Sequence, residues 1–127
     1  MHPIVAVAAL VAAALHAWFF VLESVLFERP SIWRRFGMRS QDDVRVARSF
    51  AYNQGFYNLF LAVGAALGVA LTVAGDAGTG RPIMLFACGS MVAAGVVLVT
   101  HNPRFVRSAA IQIVPPLVAL TGQVLFG

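Results

Sequence analysis

Two ionisable side chains, His16 and Glu23, stand inside the apolar run HAWFFVLESVLF. An imidazole and a carboxylate on one helix are the minimum for acid–base chemistry, or for holding a polar ligand between them. Seven residues is almost two helical turns, so the spacing puts both on one face. At 1.5 Å per residue they lie about 10 Å apart along the axis, so only a water or a small ligand could bridge them. Ser24 adds a hydroxyl beside Glu23.

A second polar group opens a later apolar run. In AYNQGFYN, Asn53 and Tyr57 are four residues apart, as are Gln54 and Asn58. On a helix these pairs cover a wide polar arc. A third polar point is Gln112, just ahead of Pro115 and Pro116. Those prolines withdraw hydrogen bonds from the carbonyls of Ile111 and Gln112.

The elements that carry these residues follow from composition. Of the 127 residues, 60% are hydrophobic and 11% charged, against about 25% charged in soluble domains. The mean hydropathy is +0.83. The chain therefore reads as all-α, an integral membrane bundle of four transmembrane helices forming a single membrane domain. The expected spans are 4–27, 50–74, 82–100 and 107–126. An arginine-rich connection, 28–49, joins the first two, and the leading run reads as a retained span rather than a signal peptide. Pro82 is expected in the first turn of span three. Gly64 and Gly68 form a GxxxG pair in span two, which favours close helix contact.

The nine basic residues are all arginine. Six fall in the first connection and two flank the third, against Arg81 in the second. This asymmetry places connections one and three in the cytoplasm and both termini outside. Arginine beside a span is a topology signal, and no soluble module is present to bind nucleic acid. Ser40 and Asp43 fit a capping box, so helix two is expected to begin in the cytoplasm. Trp33 and Phe36 with their flanking arginines suggest a segment lying in the inner leaflet.

With that orientation, Glu23, Ser24, Asn53, Gln54, Tyr57, Asn58 and Gln112 fall at comparable depth, with His16 above them. The expectation is one polar pocket in the cytoplasmic half of the bundle, with His16, Glu23, Asn53, Gln54, Tyr57, Asn58 and Gln112 as ligand-binding residues. A plainer account exists for each residue. Glu23 can snorkel to the headgroups, His16 and Asn58 can join helices as polar glue, and Tyr57 can belong to an aromatic belt.

The lone cysteine, Cys88, excludes an internal disulfide and a CxxC pair. His16 and Glu23 alone are too few for a metal site. No nucleophile triad, HExxH or phosphate-binding glycine loop occurs. No cofactor is expected, and His16 and Glu23 remain the only candidates for catalysis.

The pair H-x6-E in span one (His16, Glu23) with NQGFYN opening span two (Asn53 to Asn58) resembles the small bacterial membrane proteins catalogued as domain of unknown function 1304. The resemblance covers essentially the whole chain. It implies four membrane helices and no established activity; a place in the bacterial inner membrane is expected for such a helical bundle. Residues and resemblance together favour binding, with transport as its extension, of a small amphipathic molecule or lipid. An accessory subunit packed in a homodimer or a larger membrane complex is the first alternative. An intramembrane acid–base enzyme using His16 and Glu23 is the second.

Overall fold

A computed structural model describes all 127 residues. The chain is all-α: α1 (Pro3–Phe20), a π-helical turn (Val21–Val25), α2 (Pro30–Trp33), a 3-10 turn (Arg34–Phe36), α3 (Gln41–Val73), α4 (Ala77–His101), a second 3-10 turn (Pro103–Phe105) and α5 (Val106–Phe126). Four segments are long and apolar enough to cross a membrane: Pro3–Val25, Gln41–Val73, Ala77–His101 and Pro103–Phe126. The chain divides into two compact units, Met1–Leu15 with Leu61–Gly127, and His16–Phe60.

The first unit packs helices on small residues. Gly64 and Gly68 of α3 face Ala87 and Met84 of α4, and Gly80 of α4 lies against Thr72 of α3. Gly95 of α4 faces Ile113 and Gln112 of α5, and Gly122 of α5 faces Val5 of α1. Alanines 9, 12, 65 and 119 are fully buried or nearly so, while Phe86 and Val124 are 76% and 85% exposed. Small residues inside and large apolar residues outside is the inverse of a soluble core. It is the arrangement expected where lipid covers the outer face and close backbone approach holds the helices.

The turn between α3 and α4 is closed by Gly75, whose φ of 105° suits glycine. Its N–H bonds the Thr72 carbonyl, and that of Asp76 bonds the Leu71 carbonyl, completing a Schellman motif. Asp76 then caps α4 by accepting from the Thr79 N–H at 3.1 Å. This cap starts the helix ahead of Pro82, which is therefore not in its first turn. The helix begins at Ala77, and Pro82 sits inside it. The carbonyl that Pro82 cannot serve belongs to exposed Gly78. Pro115 and Pro116 likewise lie within α5, which continues through them.

The second unit has its own core of Phe27, Trp33 and Val44, with Phe36, Met38, Ala47 and Ala51 packed against it. Trp33 is only 6% exposed. Within this segment it is therefore a core residue of the unit. Its indole Nε1 is buried without a hydrogen-bond partner, and the Arg34 guanidinium lies over its ring at 5.4 Å.

Ser40 caps α3 as expected, and the return bond of the box goes to Arg39, one residue before the cap. Ser40 Oγ accepts from the Asp43 N–H at 3.2 Å, and Asp43 Oδ2 accepts from the Arg39 N–H at 3.0 Å. Ser40→Ala is expected to cost about 1 kcal/mol. Denaturant unfolding in mixed micelles would measure it, and an unchanged midpoint would show that the cap contributes nothing.

Candidate ligand cleft

The site is built in the second unit, from the end of span one upward. After Phe20 the helix widens into the π turn Val21–Val25, in which the Leu26 N–H reaches back five residues to the Val21 carbonyl at 2.9 Å. Such one-turn insertions re-aim side chains and recur at functional sites. Here the turn carries Glu23 and Ser24.

Both are tied to the first half of α3. Ser24 Oγ donates to the Tyr52 carbonyl at 2.7 Å. Asn58 Nδ2 donates to Glu23 Oε1 at 2.8 Å. The close approach depends on Gly55, because a Cβ there would land on the Ser24 hydroxyl. Further along, Arg48 Nη1 and Glu28 Oε1 form an ion pair at 3.0 Å.

Between these elements opens a cleft of about 450 Å³. Glu23, Ser24, Glu28, Arg48 and Ser49 give it polar walls, and Val25, Phe27 and Tyr52 give it apolar ones. Behind Tyr52 stands Phe56, whose ring lies 5.0 Å from Tyr52 and 5.0 Å from Phe20. Such a mixed lining can take both a polar head and an apolar body, the usual make-up of a small-molecule site.

The sequence-derived residues distribute unevenly. Glu23 is half-buried and lines the cleft, and Asn58 is buried and holds Glu23 in place. His16 is 1% exposed and packs edge-on against Phe19, with ring centroids 5.2 Å apart; it is not part of the lining. Asn53, Gln54 and Tyr57 are exposed and do not line the cleft. Gln112 belongs to the first unit, where it is half-buried next to Gly95.

Sequence reasoning missed Glu28, Arg48, Ser49 and the lining role of Tyr52. For Arg48 and Tyr52 a usable signal existed. Taking Gly55 as the point of closest approach, residues 48, 51, 52, 58 and 59 fall on its helical face, and 53, 54 and 57 fall off it. No three His, Cys, Asp or Glu side chains converge as a metal-ligand group.

Four long apolar helices, a core of small residues and a polar cleft at the end of the first span define a multi-pass helical membrane protein. The model of a family described as "Protein of unknown function (DUF1304)" matches residues 10–123, and the chain belongs to that family. No curated protein and no solved structure matches it.

Proposed function

We propose that this protein binds a small amphipathic molecule or lipid in the cleft of the second unit. The carrying observation is the cleft's mixed lining, in which polar Glu23, Ser24 and Ser49 stand with Phe27 and Tyr52. In this reading the protein sits in a bacterial inner membrane with both termini outside. The cleft then faces the cytoplasmic half, because six arginines lie in connection one, which borders it. Binding is favoured over acid–base catalysis because the cleft holds Glu23 without His16.

Trp33 supplies the test, since it packs with Phe27 of the cleft wall. In a Trp18→Phe background it is the only tryptophan. An uncharged amphiphile with a brominated tail, titrated in uncharged detergent, is expected to quench Trp33 saturably. Filling the cleft with Ser49→Phe is expected to remove the saturable component. Linear quenching that is identical in both proteins would sink the reading.

A further inference from the structure

The charges around the cleft specify the ligand's head. Three acidic or basic side chains line it: Glu23, Glu28 and Arg48. Arg48 is already engaged with Glu28 at 3.0 Å. The chain's other ion pair, Arg45 with Asp42 at 2.8 Å, lies outside the lining. Glu23 takes part in neither pair, and the hydrogen bond it accepts comes from the neutral amide of Asn58. Glu23 is therefore the one lining carboxyl group without a cationic partner, held at a half-buried position.

From this we infer that the cleft selects amphiphiles with a cationic, ammonium-type head, which Glu23 neutralises. The inference rests on the cleft being a ligand site, and it names the class of ligand. A half-buried carboxylate without a cation is stabilised by an opposite charge brought to it, more strongly than in water. Tyr52 adds an aromatic wall, and an organic cation over such a ring gains a further attraction. An anionic head finds neither. The Arg48 charge is already balanced by Glu28 at 3.0 Å, and Glu23 repels the head. A neutral head can hydrogen-bond to Ser24 and Ser49 but leaves the charge of Glu23 unmet.

The test uses the full chain in uncharged detergent, with Trp33 quenching in the Trp18→Phe background as the readout. Three probes share one brominated alkyl tail and differ only in the head: trimethylammonium, maltoside or sulfate. The trimethylammonium probe is expected to bind about tenfold more tightly than the maltoside, the scale of one charge-assisted contact. The sulfate probe is expected to bind weakest. Glu23→Gln, which keeps an oxygen to accept from Asn58, is expected to abolish the preference for the trimethylammonium probe over the maltoside. Arg48→Gln frees Glu28 and is expected to strengthen the preference, a gain that a misfolded protein could not produce. Saturable binding of all three probes with no head preference, or a preference that Glu23→Gln leaves intact, overturns the inference and leaves the cleft reading standing. Saturable binding of none overturns both.

Discussion

Gly68→Leu is expected to destabilise the protein by about 3 kcal/mol, the upper part of the usual overpacking range. A Cβ at Gly68 would stand 2.7 Å from both the Gly80 carbonyl oxygen and Met84 Cβ. The carbonyl is backbone and cannot swing aside as a flexible side chain would. The obstruction is mutual, because a Cβ at Gly80 would lie 2.6 Å from the Gly68 carbonyl oxygen. Helices α3 and α4 approach so closely that either substitution forces their axes apart. Separation would forfeit the dispersion contacts of Ala65, Met84 and Ala87, all at most 5% exposed. In lipid no hydrophobic driving force would restore them. The control is Gly89→Ala, since a Cβ at Gly89 meets nothing within 4 Å. That change is expected to add about 1 kcal/mol through helix propensity alone. Unfolding by SDS in mixed micelles measures both. Equal midpoints for Gly68→Leu and Gly89→Ala would show that the glycine contact does not hold these helices.

That contact illustrates which features a sequence can disclose. Gly64 and Gly68 stand four residues apart within one apolar run, and the partner they need is the next helix, reached through a short turn. The spans and the Ser40–Asp43 box were legible for the same reason, since their causes lie within a few residues of their effects. The π turn was not. VLESV contains neither proline nor glycine, and nothing local marks the extra residue. The contacts that hold it come from Tyr52 and Asn58, 28 and 35 residues away. Because the turn shifts helical phase after Phe20, the face-sharing of His16 and Glu23 drawn from regular spacing does not carry through it. Asn53, Gln54 and Tyr57 misled in a different way. Their polarity suggested a pocket, but their angular position relative to Gly55 turns them outward. Glu28 and Arg48 were hidden by their setting. In an arginine-rich connection Arg48 reads as a topology charge, and only its pairing with Glu28 across 20 residues marks the two as a wall of the cleft.

Asn58→Leu is expected to destabilise the protein by about 2 kcal/mol, the scale of a lost hydrogen bond to a charged group. The reason lies in what remains. Asn58 is 9% exposed, and its amide donates to the half-buried Glu23 carboxylate at 2.8 Å. Leucine is close to asparagine in size, so the change removes a donor more than it removes packing. Glu23 then keeps its desolvation without its partner, and the cost falls on the folded state. The double variant Glu23→Leu/Asn58→Leu is expected to recover much of the loss, because replacing both members of a buried polar pair leaves neither unsatisfied. A double-mutant cycle by SDS unfolding isolates this coupling, which should exceed 1 kcal/mol in magnitude for groups in direct contact, roughly the middle of the usual range. The same cycle separates the two accounts of Glu23. If the carboxylate snorkelled into water, Asn58→Leu would cost little and the double variant would be no better than the single. A large coupling would mean instead that Glu23 is held at its half-buried position by a designated donor. A charge fixed in that way, beside a cleft and without a cation of its own, is the property on which the selection of an ammonium head depends.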